Sequence, residues 1–224
     1  MSSPPLLRGA ALREALVAET LNIIEAEGFP AFNLRALTAR LGVSQPAIYR
    51  HFASREELLQ EAMIAGWRAS DRAAVEHAGD DEPYGRLHRL GAGYVAWGAA
   101  HPGWFRLTFG RRDALSSLVH RVDMVSEGQH LTLAALARIV PPDDPAFGPT
   151  YRSWWGLAHG LTFLTIERVF MLVEDDLARV QVASESIQTW VEGLRAVRGE
   201  PGPPTGLSFE QLFAGLRPRA RAGG

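Results

Sequence analysis

The chain has 224 residues, of which 46% are hydrophobic, so it can hold two small domains with hydrophobic cores. Charged residues make up 21%, and the formal net charge is −2. It contains no cysteine, which excludes disulfides, thiolate metal sites and cysteine nucleophiles, and every basic residue other than histidine is arginine. No apolar run reaches transmembrane length and no signal-peptide core follows the start, so we expect a cytoplasmic protein with no membrane partner.

The amino-terminal part of the chain predicts a helix over 10–27 and a shorter second helix after it. Leu34, Leu37 and Leu41 recur at helical spacing, which gives the second helix a buried stripe. Gly42 can end this helix at a position that needs a positive φ.

A third helix is predicted directly after this turn. Ser44 can cap it through the side-chain oxygen, and Pro46 lies in the first turn, where no backbone donor is missed. Ile48 and Phe52 lie one turn apart and are expected to face the core. The second and third helices together predict a helix-turn-helix. The later helix of such a pair, here the third helix of the chain, normally enters the DNA major groove.

The side of the third helix opposite Ile48 is expected to be exposed. Pro46, Ala47 and Arg50 fall on this side, Tyr49 and His51 flank it, and Gln45 projects from the amino-terminal end. The amide of Gln45 can pair with adenine, and apolar groups can contact a thymine methyl. Tyr49, His51 and Arg55 suit phosphates, which fix register and not sequence. An ordinary helical corner with a solvated polar face is the alternative.

The rest of the chain is expected to be helical, which predicts an all-α fold. Ser54 and Glu57 form a capping box at the start of a helix that should reach about Ala78. Further helices are predicted over 84–100, 104–109, 113–140, 147–173 and 175–198. The tail over 199–224 is rich in Pro, Gly and Arg and is expected to be flexible, apart from one short helix over 209–216.

The order of a first helix, a Gly-Phe stop, the Asn33 cap, the turn and the segment YRHFASREEL resembles the TetR-type (tetracycline-repressor) family of transcriptional regulators. The resemblance covers roughly 12–62, and VSQPAIYRHF keeps most of the family's recognition-helix pattern. It implies that Arg35 reads guanine, that the start of the third helix reads adenine and a thymine methyl, and that Arg50 lies where the family varies. The predicted DNA-binding set is Arg35, Ser44, Gln45, Pro46, Ala47, Tyr49, Arg50, His51 and Arg55.

A second resemblance lies in the carboxy-terminal half. Trp155, His159 and Gly160 keep the W-x-x-x-H-G spacing of the WHG-type regulatory domain found in part of the TetR-type family, and the segment over 94–109 also resembles that domain. Trp155 and His159 lie one turn apart on one helix face. Gly160 would allow another helix to approach closely. The preferred interpretation is structural, with His159 buried and hydrogen-bonded.

Aromatic residues are dense in this half, and the family resemblance implies a sensor domain. We expect the rings to enclose an apolar cavity for a small hydrophobic effector, with His130 or His159 near its polar end. Core packing is the alternative for each ring. The predicted ligand-binding set is Trp97, Phe105, Phe109, His130, Trp154, His159 and Phe163.

The helices over 147–173 and 175–198 are the predicted homodimer contact, because they carry more apolar residues than one inner face uses. These residues are Leu157, Leu161, Leu164, Val169, Leu172, Leu177, Val180, Ile187, Val191 and Leu194. Family members pair such helices into a four-helix bundle, and a symmetric dimer presents two DNA-reading heads to a palindrome. The alternative is that both helices are buried within one subunit.

The predicted division places a helix-turn-helix DNA-binding domain at 10–58 and a ligand-binding and dimerisation domain at 59–198, in which 59–78 is a connecting helix. An effector would move that helix and change the spacing of the two heads.

An enzyme is not expected, because the seven histidines are scattered and none has metal-binding spacing. We predict no catalytic residue, metal or cofactor. The predicted function is a ligand-responsive repressor that binds a palindromic DNA operator, although the sign of regulation stays open. A carrier or protein-interaction module of the same fold without DNA binding is the alternative, because arginines and glutamates are equal in number over residues 1–60.

Overall fold

A computed structural model of the chain describes residues 9–79, 82–110, 126–169, 173 and 175–200. These residues are helical and contain no strand, which confirms the predicted all-α fold. The helices are α1 (Gly9–Glu27), a 3-10 turn (Phe29–Ala31), α2 (Leu34–Leu41), α3 (Gln45–Tyr49), α4 (Arg55–Glu76), α5 (Pro83–Ala100), α6 (Pro102–Phe109), α7 (Glu127–Ala137), α8 (Phe147–Ile166) and α9 (Asp176–Val197).

The described residues form two compact units. The amino-terminal unit comprises 9–68 and 101–110, and the carboxy-terminal unit comprises 69–100 and the described residues from 126 to 200. Both units take residues from α4. This division by compactness differs from the predicted domain boundary at 58/59, which stays a prediction.

The core of the amino-terminal unit forms where α1 packs against the 3-10 turn, α2 and α6. Leu16, Ile23 and Leu37 are buried in this core, together with Ile48 and Phe52, which follow the turn at Gly42. Asn33 caps α2 by accepting a hydrogen bond from the Ala36 backbone N–H at 2.8 Å. Gly42 ends α2 at a φ of 65°, as the sequence predicts.

The start of α4 confirms most of the predicted capping box. Ser54 Oγ accepts a hydrogen bond from the Glu57 backbone N–H at 3.1 Å. The Glu57 carboxylate reaches back to the Ala53 backbone N–H at 2.5 Å, one residue earlier than the standard motif. The cap therefore fixes the direction in which α4 leaves the helix-turn-helix.

Helix α6 is seated directly on α1. A Cβ at Gly103 would lie 2.6 Å from the Ile24 carbonyl oxygen and 2.7 Å from Glu25 Cα, so only glycine allows this approach. The Glu25 carboxylate accepts the Trp104 backbone N–H at 3.1 Å, and the Trp104 indole donates to the Leu21 carbonyl at 3.0 Å. Burial raises the pKa of Glu25, and the backbone N–H groups of Trp104 and Gly103 partly offset this rise.

Helix α5 is the centre of the carboxy-terminal unit and packs against α7, α8 and α9. Gly91 allows α9 to come close, because a Cβ there would lie 3.2 Å from the Ile187 side chain. The Trp154 indole N–H of α8 donates to the Leu87 carbonyl at 3.1 Å. The side chain of His88 is buried against Ser184, with 3.1 Å between Nε2 and Oγ.

Two predicted helices in this unit have the wrong bounds. The helix predicted over 113–140 begins at Glu127, because Ser126 is extended and its Oγ accepts the Gln129 backbone N–H at 3.1 Å. The helix predicted over 147–173 ends at Ile166, because Arg168 has a φ of 56° and the chain turns there. Residues 111–125 and the predicted tail helix over 209–216 lie outside the described residues.

Across the described parts of the chain, no helix combines the length and apolar character that a membrane crossing needs.

Replacing Gly103 by alanine should destabilise the protein by about 1–3 kcal/mol, because the new methyl group meets backbone atoms of α1 that cannot rotate away. Thermal unfolding of the full chain measures the effect. Gly148→Ala is the matched control, since its Cβ would meet only the flexible Arg152 guanidinium at 3.1 Å. Equal melting temperatures for both variants would contradict the seating of α6 on α1.

Candidate nucleic-acid interface

Helix α3 has only five residues and begins without a side-chain cap. The prediction that Ser44 caps it through the side-chain oxygen is therefore wrong. The physical reason is that Pro46 has no N–H, and the Ala47 N–H is already bonded to the Ser44 carbonyl at 3.0 Å. The Ser44 side chain is exposed and is available to another partner.

The orientation of α3 is fixed by two buried side chains. Ile48 and Phe52 are each 1% exposed and belong to the core of the amino-terminal unit, as predicted. The opposite side faces solvent, and Tyr49 is 50% exposed. Gln45, Pro46 and Arg50 on α3 or its end, and Arg35 on α2, are also exposed, whereas Ala47 and His51 are half-buried.

Four arginines of the amino-terminal unit differ in whether they form ion pairs. Arg35 and Arg50 are exposed and form no ion pair with the described residues. Arg13 pairs with Glu61 at 3.2 Å, and Arg40 pairs with Glu19 at 3.0 Å and also with Glu27. The hydrogen bond that Arg40 donates to Glu19 raises the pKa of Arg40. Arg35 and Arg50, the two cations on the predicted reading face, thus lack the carboxylate partners that Arg13 and Arg40 have among the described residues.

Arg55 is directed toward the loop that precedes α2. Its Nη2 lies 3.4 Å from the Phe32 carbonyl oxygen, and its guanidinium carbon lies 5.3 Å from the Phe32 ring centroid and 5.9 Å from that of Phe29. The side chain keeps 41% of its exposure. Arg55, one of the residues predicted to contact phosphate, therefore forms contacts within the amino-terminal unit.

The predicted ligand-binding rings fall in both compact units. Trp97 and Trp154 are buried in the carboxy-terminal unit. Phe105 and Phe109 belong to the amino-terminal unit, where their ring centroids lie 4.9 Å apart. Phe105 is buried and Phe109 half-buried.

Two other members of the predicted ligand-binding set lie at the surface of the chain. His130 is exposed on α7, and Phe163 on α8 is 50% exposed. Neither position matches a residue enclosed in the interior of a single subunit. The role of His130 at the polar end of a cavity stays a prediction, and in the single subunit its side chain is exposed on α7.

His159 forms a cluster with Tyr94 and Trp155. The Tyr94 hydroxyl lies 3.0 Å from His159 Nδ1, and the His159 ring stacks on Trp155 with 4.9 Å between centroids. Burial lowers the pKa of His159 and raises that of Tyr94. The shared face and the hydrogen-bonded histidine are confirmed, although His159 is half-buried.

The expected close approach of a helix to Gly160 does not occur within the described chain. A Cβ at Gly160 or at Gly156 would meet no atom within 4 Å. Trp155, which directly precedes Gly156, is 46% exposed. This side of α8 is therefore open in the single subunit.

Two regions of the chain match models of known protein families. Residues 16–62 match bacterial regulatory proteins of the tetR family, and residues 87–198 match the tetracyclin repressor-like C-terminal domain. The chain belongs to the TetR family. A comparison with curated proteins finds no match.

Solved structures show the same TetR-type fold. A protein of unknown function from Rhodococcus sp. RHA1 is 23% identical, with a TM-score of 0.63 over 85% of this chain and 98% of that one. A TetR-like transcriptional regulator from Rhodococcus sp. RHA1 is 16% identical, with a TM-score of 0.61 over 87% of this chain and 100% of that one. A possible TetR family regulator from Streptomyces coelicolor A3(2) is 17% identical, with a TM-score of 0.56 over 83% of this chain and 99% of that one.

Sequence reasoning missed several contacts that shape this TetR-type protein. The Arg40 pairs with Glu19 and Glu27 join residues 21 and 13 positions apart, and no local spacing indicates them. Tyr94 was visible only as part of the segment that resembles a WHG-type domain, and its partner His159 is 65 residues away. Within the described residues, no group of three potential metal ligands occurs.

The stability of the protein should fall as the pH is lowered below about 6.5, the usual pKa of histidine. Burial lowers the pKa of His88 in the folded state, so the unfolded chain binds the proton first and acid favours unfolding. His88→Asn should reduce the slope of the unfolding free energy against pH between pH 7 and 5 by up to about 1.4 kcal/mol per pH unit. Chemical denaturation at each pH measures it.

His130→Asn is the control for this experiment, because the side chain is exposed to water in the folded protein as well. It should follow the wild-type pH profile. A His88→Asn profile parallel to that of the wild type would show that His88 does not carry the acid sensitivity.

Proposed function

We propose that the protein is a ligand-responsive transcriptional repressor that binds a palindromic operator as a homodimer. The observation that carries this proposal is the exposed face of α2 and α3, with α3 held by Ile48 and Phe52. This face presents an amide, an apolar ring and two arginines that form no ion pair with the described residues. Base-reading groups on a rigid element suit a helix-turn-helix that enters the major groove.

The chemistry of this face supports separate roles for its residues. Arg35 can donate two of its guanidinium N–H groups to guanine, and Gln45 can pair with adenine. Pro46 and Ala47 can contact a thymine methyl. The polar groups at the edges suit phosphates, which are contacted by Ser44, Tyr49 and His51 in this proposal. The target of Arg50 depends on the operator.

The exposed side of α8 supports homodimerisation. Trp155 and Phe163 are 46% and 50% exposed, and they lie beside Gly156 and Gly160, whose Cα atoms have open space around them. An aromatic surface with small residues can receive a second helix, and a two-fold axis would place the same surface on both copies. Segments 147–173 and 175–198 are thus still the proposed contact.

Some apolar residues of the proposed contact serve the core of the single subunit instead. Leu161, Val180, Ile187 and Val191 are buried within the carboxy-terminal unit. Leu164, Val169 and Leu177 are exposed, as a dimer contact requires, and Leu172 lies outside the described residues. The alternative that both helices are buried within one subunit therefore holds for one face of each helix.

The effector is proposed to bind the carboxy-terminal unit. Trp97 and Trp154 are the buried rings of the predicted set within this unit, and Tyr94 with His159 is a polar pair on the neighbouring helices α5 and α8. A ligand controls DNA binding only if it prefers one arrangement of the protein over another. A small, mainly apolar molecule fits these side chains best.

Alanine at Arg35 or Gln45 should each cost about 1–3 kcal/mol on an operator selected from random duplexes and should relax preference at one base pair per half-site. The reason is that each variant removes a side chain that reads a base edge. Fluorescence anisotropy with the selected duplex and its point variants measures the loss.

Tyr49→Phe is the contrasting variant, because it removes a hydroxyl proposed to contact phosphate. It should weaken binding to selected and random duplexes alike. If Gln45→Ala also weakened binding to both duplexes equally, Gln45 would not be a base-reading residue. A wild-type protein that binds no duplex would favour a carrier or protein-interaction module.

Phe163→Glu should convert the dimer to monomers at micromolar concentration, because it places a charge in the proposed apolar contact. Sedimentation velocity measures the state. Ala134→Glu, on the exposed side of α7, is the control and should stay dimeric. A wild-type monomer that binds the selected duplex with full affinity would contradict the two-headed arrangement.

A further inference from the structure

The first turn of α4 contains a positively charged side chain whose charge does not stabilise the helix. Arg55 is the first residue of α4 and directly follows the Ser54 cap. The positive end of the helix dipole lies here, so acidic side chains are favoured and a cation is disfavoured. Glu56 and Glu57 conform to this rule, whereas Arg55 does not. Within α4, Arg55 forms a 3.9 Å ion pair with Glu56, and its other partner lies outside the helix.

That partner is the loop between α1 and α2. The guanidinium carbon of Arg55 lies 5.3 Å from the Phe32 ring centroid and 5.9 Å from that of Phe29, and Nη2 lies 3.4 Å from the Phe32 carbonyl oxygen. Phe32 is 3% exposed and belongs to the core of the amino-terminal unit. A planar guanidinium can stack on aromatic rings and donate hydrogen bonds at the same time.

The loop that Arg55 contacts is where α2 begins. Asn33 follows Phe32 directly, caps α2 through its Oδ1, and donates from Nδ2 to the Ala31 carbonyl at 3.0 Å. Arg55 thus joins the residue just before the helix-turn-helix to the residue just after it. The proposed base-reading residues Arg35 and Gln45 lie on the two helices between these points.

We propose that Arg55 is a positioning residue, which holds α2 and α3 in the relative orientation that brings Arg35 and Gln45 to the same operator half-site. This role replaces the phosphate contact implied by the family resemblance. It rests on the proposed function, because it requires sequence-specific DNA binding. Loss of the Arg55 contacts should therefore reduce discrimination between duplexes more than affinity for DNA in general.

Arg55→Lys separates the two roles in the full-length protein. Lysine keeps the positive charge that a phosphate needs, but it lacks the planar group that stacks on Phe29 and Phe32. Binding is measured by anisotropy over a salt series with a duplex selected by the wild type and with a random duplex. The expected result is a loss of about tenfold on the selected duplex, with binding to the random duplex and its salt slope unchanged.

The opposite pattern would overturn the proposal. If Arg55→Lys behaves as the wild type and Arg55→Ala lowers the slope of log affinity against log salt by about one on both duplexes, Arg55 is a phosphate contact. A wild-type protein without preference for any duplex would overturn both this proposal and the proposed function. A selective wild type with an equally selective Arg55→Lys would overturn this proposal alone.

Phe29→Leu is a second test that leaves every charge in place. It removes the half-buried ring on which the guanidinium rests and should reduce discrimination in the same way as Arg55→Lys. In the double variant the two losses should not add, because both remove one contact. Additive losses would contradict the contact, and melting curves identify any variant that loses discrimination merely because it unfolds.

Discussion

Helix α3 must present its reading face without being a stable helix on its own. It has five residues, and an isolated helix of that length does not form in water. Ile48 and Phe52 overcome this because both are buried in the core that α1, α2 and α4 also build. The short turn at Gly42 then sets where α3 begins. Every exposed group on α3 inherits its position from these few buried contacts.

The charge distribution explains how a neutral segment can still suit DNA. Arg13 and Arg40 are paired with carboxylates, while Arg35 and Arg50 are exposed and form no ion pair among the described residues. A sum of charges hides this asymmetry. In the proposed complex, attraction to phosphates comes from a few placed groups and not from a broad positive field.

Local patterns predicted those parts of the fold that local forces determine. The turn at Gly42 and the inward side of α3 depend on residues within a few positions of one another, and the structure confirms them. The Leu stripe of α2 is buried at Leu37 only, while Leu34 and Leu41 are half-buried against the core. The capping role of Ser44 was wrong because Pro46 removes a donor. The packing of α6 on α1 at Gly103 and the ring contacts of Arg55 join distant segments, which periodicity cannot indicate. The predicted ligand-binding rings likewise divide between two units that no composition shift marks.

Selection of duplexes from a random pool by the full-length protein, followed by sequencing, tests most directly whether the face on α2 and α3 reads DNA as a symmetric pair. The expected result is an enriched inverted repeat, with half-sites related by a two-fold axis as in the proposed dimer. Enrichment of a single unrepeated site, or no enrichment at low salt where non-specific binding is strongest, would contradict a two-headed repressor.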